Sequence, residues 1–130
     1  MERIAVYTDR APEPVGPYSQ AIIAGEFVFC SGQIALDPVS GTLVKGDIRR
    51  ETTRVMENIN EVLKSAGCSL DAVVKTTIYI RNMDDFPKIN EVYGSYFNEK
   101  PPARATIQVA RLPKDAHVEI ECIALADKKL

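Results

Sequence analysis

The chain has little of what most enzyme chemistry leans on. Its single histidine, His117, excludes a two-histidine zinc site. A Ser-His-Asp triad would have to use this one residue, which lies just past the turn LPKDA, where a solvated strand start is expected. The three cysteines, Cys30, Cys68 and Cys122, are odd in number and form no Cys-x-x-Cys pair. A disulfide framework and a zinc ribbon are therefore unsupported, and buried free thiols in a reducing compartment are expected. Spacing alone assigns no redox role to Cys30 or Cys68. Gly-x-Gly-x-x-Gly, Walker A and Gly-x-Ser-x-Gly patterns are missing, so nucleotide-binding and hydrolase-elbow readings lack support. Apolar runs such as AIIA at 21–24 fall far short of the roughly 18–20 residues of a membrane span. The start, MERIAVYTDR, has neither an apolar stretch nor a cleavage pattern, and a cytoplasmic location is expected. The net charge of −2 leaves no basic excess, which disfavours non-specific nucleic-acid binding.

What remains is an ordinary globular composition. The 130 residues, 45% hydrophobic and 26% charged, suffice for one domain, 1–130, with a core that needs no staples. RIAVYT, QAIIAG and FVFCSGQIAL read as strands, the last two joined at Gly25-Glu26, and DPVSGTL (37–43) as a turn. A helix is predicted from Asp47, its N-cap, with Ile48, Thr52, Val55, Met56, Ile59, Val62, Leu63 and Ala66 on one stripe and Gly67 as its stop. Arg50, Glu57, Glu61 and Lys64 mark its solvent side. AVVKTTIYIRN (72–82), rich in β-branched residues, reads as a strand. DDFPKINEVYGSYFNEK reads as a second helix, capped by Asp84 or Asp85, with Pro87 in its first turn and Phe86, Ile89, Tyr93, Tyr96 and Phe97 apolar. Two further strands follow, in PPARATIQVA and AHVEIECIALA, around the turn at 113–115. The order β-β-β-α-β-α-β-β with two one-sided helices predicts an α+β fold, both helices on one face of a single sheet. The other face then needs a cover or a polar surface, and a second protein chain is one such cover.

Polar residues alternate along the last two strands. Arg104, Thr106, Gln108 and Ala110 share one face of the first; His117, Glu119 and Glu121 share one face of the second. Arg104 is either a solvated edge charge or a guanidinium held for an anion, since arginine suits bidentate recognition of carboxylates. A glutamate such as Glu119 can hold or deprotonate a water if its pocket is dry. A simple hairpin about 113–114 sets Glu119 near Gln108, several residues from Arg104, so a shared site needs twist, a bulge or a neighbouring chain. In GPYSQ, Tyr18 follows Pro17 and is presented from a loop; in SGQI, Gly32 marks a bulge or a close backbone approach. Asn90 lies beside the apolar stripe of the second helix, where a surface role is expected.

Four stretches in this order, APEPVGPYSQA, SGQIALDPVSGTLV, VVKTTIYIRNMDDFPKINEVY and PPARATIQVARLPKDAHVEIE, resemble the RidA/YjgF family of small imine deaminases across about residues 11–125. The resemblance implies a chorismate-mutase-like (RidA-like) α+β fold and a homotrimer with ligand pockets between subunits. It implies hydrolysis of 2-imino acids, such as 2-iminobutanoate and 2-iminopropanoate, to 2-keto acids and ammonia, which protects other enzymes from imine damage. It also implies no metal or organic cofactor; no membrane partner is expected, as the short apolar runs already indicate. Arg104 falls on the family's carboxylate-binding arginine and Glu119 on the acid that holds the hydrolytic water. Tyr18, Gly32 and Asn90 fall on positions associated with the pocket. Thr106 stands where many relatives have cysteine; it excludes a thiol-dependent step there but keeps backbone groups for substrate. An endoribonuclease or translation-inhibitor activity, and a non-enzymatic metabolite-binding role, are the alternatives that the family offers.

Overall fold

A computed structural model of the protein describes residues 2–126. Six strands form one mixed sheet: β1 (Arg3–Val6), β2 (Ala21–Ala24), β3 (Phe27–Gln33), β4 (Val73–Ile80), β5 (Ala103–Gln108) and β6 (Val118–Leu125). Helix α1 (Ile48–Ser65) lies between β3 and β4 in sequence, and α2 (Phe86–Gly94) between β4 and β5. Across the sheet the order is β1-β2-β3-β6-β4-β5. The predicted element order and the α+β class, with both helices on one face, are those observed.

Local chemistry accounts for the boundaries. Asp47 caps α1 by accepting the Arg49 N–H at 2.9 Å, and Gly67, at φ 82°, ends it. The Gly25-Glu26 turn joins β2 to β3, with Ala24 opposite Phe27 and Gly25 at φ 60°. The second helix is shorter than predicted: it ends at Gly94, while Tyr96 and Phe97 leave the helix yet pack on the core. Asp85 occupies its N-cap without a side-chain bond. Asn82 instead caps the short 3-10 turn before it, accepting the Asp84 N–H at 3.0 Å.

The largest departure is at the last two strands, which are not a hairpin. β5 runs parallel to β4 at the sheet edge, and β6 inserts between β3 and β4, antiparallel to both. A strand-helix-strand crossover through α2 must deliver β5 parallel to β4, so the turn at 113–115 carries the chain over β4 rather than back along β5. Glu119 therefore lies opposite Tyr79, and Ile107, not Gln108, lies opposite Tyr79 on the other side.

The helix side of the sheet is the core. Val118, Ile120 and Ala124 from β6 and Ile78 and Ile80 from β4 are fully buried with Val55, Met56, Ile59, Val62 and Leu63 of α1. Cys30 and Cys122, directly opposite each other on β3 and β6, are buried and free; Cys68 is half-buried. The other face is open. It presents Phe27, Phe29, Ile107 and Leu125 as exposed apolar groups, with Tyr79, Glu119 and Glu121 among them.

Candidate functional site

A cleft of about 520 Å³ opens where the loop before β2, the end of β3 and the start of β6 converge; Tyr18, Ser31, Gly32, Lys114 and Glu119 are among the residues that line it. Its loop wall is held from beneath. Gln20, 1% exposed, donates to the Thr8 and Pro12 carbonyls, each at 3.0 Å, and accepts the Thr8 N–H at 2.7 Å. Ser31 Oγ donates to the Ser19 carbonyl at 2.6 Å. Tyr18, so anchored on both flanks, projects exposed.

The floor depends on a glycine. β3 carries one extra residue relative to β6 between Cys30 and Gln33, a bulge that brings the Gly32 backbone onto the Glu119 side chain. A Cβ at Gly32 would overlap the Glu119 carboxylate, with Cδ at 2.9 Å and Cγ at 3.1 Å. Only glycine leaves that seat open. Burial first, and the Glu121 carboxylate second, push the Glu119 carboxyl above the ordinary glutamate range. Glu121 is tethered by the Tyr79 hydroxyl, which donates to its Oε1 at 3.0 Å. A half-desolvated carboxyl beside an open cleft is suited to taking up and returning a proton.

Arg104 is built into a different place. Its register partner Thr76 is buried and shares a 2.7 Å hydrogen bond with the Tyr93 hydroxyl of α2, so Arg104 faces the helix side. Its guanidinium lies 5.3 Å from the Phe86 ring centre and 5.1 Å from that of Tyr93, and donates to Asn90 Oδ1 at 2.7 Å. Among the described residues no carboxylate pairs with it. Stacking and one neutral hydrogen bond orient the fork while leaving its charge available to an anion. Asn90 is thus more than a surface residue: it aims Arg104. Thr106, opposite Ile78, is half-buried on the same face.

The six candidates therefore fall into two groups. Tyr18, Gly32 and Glu119 line the cleft on the open face; Asn90, Arg104 and Thr106 cluster at the β5 edge beside α2. Thr76 and Tyr79, three residues apart on β4, mark the two faces, so one chain does not bring Arg104 to Glu119.

His117 is not a free strand start. Its backbone N–H donates to Glu51 Oε2 at 2.8 Å and its ring Nδ1 lies 2.9 Å from Oε1. Glu51, 1% exposed, was missing from the predicted stripe of α1, although three residues after Ile48 and four before Val55 is a stripe position. Asn58, equally buried, obeys the same spacing and donates to the Ile34 and Leu36 carbonyls at 3.1 and 3.0 Å. Lys114 and Asp115 both adopt left-handed backbone, at φ 55° and 57°, each at a cost of order ~1 kcal/mol or more.

An open mixed sheet backed by two helices, with an acid cleft on one face and an oriented arginine at its edge, defines an α+β protein. Residues 8–126 match the family model described as Endoribonuclease L-PSP. The chain is 52% identical over 124 residues to a RutC family protein of Pyrococcus abyssi, covering 95% of this chain and 98% of that protein. It is 45% identical over 123 residues to human 2-iminobutanoate/2-iminopropanoate deaminase, covering 95% and 90%. The crystal structure of RidA from an Antarctic Psychrobacter superposes with a TM-score of 0.90 at 42% identity, covering 94% and 98%. The chain belongs to this family, RidA/YjgF.

Proposed function

We propose that the protein hydrolyses small 2-imino acids, such as 2-iminobutanoate and 2-iminopropanoate, to 2-keto acids and ammonia in the cytoplasm, in sites shared between copies of a homotrimer. The observation that carries this reading is the division of the candidate groups. An arginine with no carboxylate partner among the described residues and a half-buried acid lie on opposite faces of one sheet. The open face, with Phe27, Phe29, Ile107 and Leu125 exposed, is the surface on which a second copy would seat, placing its β5 edge over the first copy's cleft. The human relative's name, a deaminase of this substrate class, supports the same reading.

In the assembled site Arg104 grips the substrate carboxylate, and backbone groups beside Thr106 orient the C=N bond. The imine carbon is electrophilic, so orientation and a positioned water are the main needs. Water adds to that carbon as the Glu119 carboxylate takes its proton. The protonated Glu119 returns that proton to nitrogen, giving a carbinolamine; it then carries the hydroxyl proton to the amine, so that the C=O bond forms as the C–N bond breaks and ammonia leaves with the 2-keto acid. Tyr18 walls the pocket against bulk solvent.

The test makes 2-imino acids in situ with an amino-acid oxidase and follows ammonia and keto-acid release. Acceleration is expected, with a fall of about 10- to 100-fold in Arg104→Ala as the charge-assisted bonds go. Mixing and reassembling Arg104→Ala and Glu119→Gln chains should restore activity, because one intact pair re-forms across an interface. No acceleration with several imines, full activity in Arg104→Ala, or a monomeric mass in solution would each overturn the reading. A ribonuclease reading has the family description in its favour, but a chain of net charge −2 offers little to a polyanion.

A further inference from the structure

Resting on that reading, the remaining charge that lines the cleft acquires a task. Three residues with ionisable side chains other than tyrosine line it: Glu13, Glu119 and Lys114. Two are carboxylates, and an anionic imino acid approaching from solvent meets their repulsion before any guanidinium reaches it. Glu13 accepts from the Tyr7 hydroxyl at 2.6 Å, which fixes it near the rim without removing its charge. Lys114 makes no hydrogen bond or ion pair among the described residues, so its ammonium is uncommitted.

Its placement is also over-determined. Lys114 sits at φ 55°, ψ 24° inside the 3-10 turn Pro113–Asp115, a conformation that favours glycine. The next residue is gripped twice: Arg111 Nε pairs with Asp115 Oδ1 at 2.8 Å, and Arg81 Nη1 donates to the Asp115 carbonyl at 3.2 Å. Two arginines thus hold a turn that glycine would adopt more readily, with a lysine at its centre and on the cleft wall. A purely structural turn has no need of an amine there.

We infer that Lys114 is a substrate-recruiting residue: its ammonium offsets the Glu13 and Glu119 carboxylates and draws the carboxylate of a 2-imino or 2-keto acid into the cleft. It acts on encounter and affinity, not on the bond-breaking step, because Arg104 is the group oriented for close bidentate contact. An exposed cation of this kind contributes up to about fivefold in affinity at low salt and is screened at high salt.

The experiment compares wild type with Lys114→Gln, Lys114→Arg and Lys114→Gly by calorimetric binding of 2-oxobutanoate, by imine turnover and by thermal melting. Lys114→Gln should raise Kd and KM about fivefold at low ionic strength, leave kcat unchanged, and lose its difference from wild type near 1 M salt. Lys114→Arg should behave as wild type. Lys114→Gly should lose the same affinity while melting at the same temperature or higher, since the left-handed strain is gone. Unchanged affinity and salt dependence in Lys114→Gln, with wild type binding and turning over, would overturn the role of Lys114 alone. Affinity lost in Lys114→Gly only together with melting temperature, and retained in Lys114→Gln, would make it a turn residue. A wild-type protein that neither binds the keto acid nor hydrolyses imines would remove the deaminase reading and this inference with it.

Discussion

Replacing Gly32 by alanine tests the seat of Glu119 with a single methyl group. The added Cβ would lie 2.9 Å from Glu119 Cδ and 3.1 Å from Cγ, against an ordinary carbon–carbon contact of about 3.5–4 Å. The obstructing atoms belong to the far end of a flexible side chain on an open sheet face. Gly32 has no left-handed backbone to forbid alanine, since it is not among the positive-φ glycines. The acid therefore swings aside by roughly 1 Å or more, and the fold loses little. Surface-type relaxation of this kind costs within about 1 kcal/mol, a few degrees in melting temperature. Activity is far more sensitive: a 1 Å misplacement of a positioned group can cost about 10²-fold. The expected result is a fall of about 10²-fold in kcat/KM for imine hydrolysis with a melting curve close to wild type. Activity within about threefold of wild type would refute the reasoning, because the carboxylate would then have no need of the place that Gly32 leaves for it.

Glu119→Gln should abolish most hydrolysis and yet stabilise the fold at neutral pH. The folded state raises this carboxyl by burial and by Glu121, so stability is fullest below the ordinary glutamate value of ~4.3 and declines as pH rises through the raised one. Melting curves should show the glutamine variant ahead of wild type at pH 7 to 8, with the gap closing as pH falls toward ~4; a gap that widens on acidification would contradict the assignment. Glu51→Ala should destabilise by on the order of 2 kcal/mol in chemical denaturation, because it strands the half-buried His117 N–H. Glu51→Gln, which can still accept that bond and leaves no cavity, should cost less; equal losses in the two would overturn this reading, because the carboxylate's charge and not the accepted bond would then carry the stabilisation.

Much of the fold was legible because its signals are local. The Asp47 cap, the three- and four-residue steps to Leu63 and the Gly67 stop all act within one turn of helix, so α1 was read nearly to the residue. The bulge at Gly32 was legible for the same reason: glycine inside a β-rich run announces a close approach. What it approached was not, since Glu119 lies 87 residues further along the chain, on another strand. Glu51 was not legible as a core residue, because a carboxylate on a helix ordinarily faces water, although its spacing puts it on the buried stripe. Its acceptor role needed the His117 N–H, which only the folded chain supplies. The simple hairpin that sequence adjacency alone would place about 113–114 does not form. It failed because a crossover helix imposes parallel pairing, and β6 gains more by filling the centre of the sheet, where Val118, Ile120 and Ala124 are fully buried.

Element order, the amphipathic faces, the alternation that exposes Arg104 and Glu119 as candidates and the family to which the motifs point were determined by the sequence itself, since each depends on residue type at short spacing. Strand order, the burial that raises Glu119, the stacking of Arg104 between Phe86 and Tyr93, and the assignment of these two groups to opposite faces were decided by tertiary structure. These are pairings across long loops, where the free energy lies in contacts between distant segments and not in the preferences of either one.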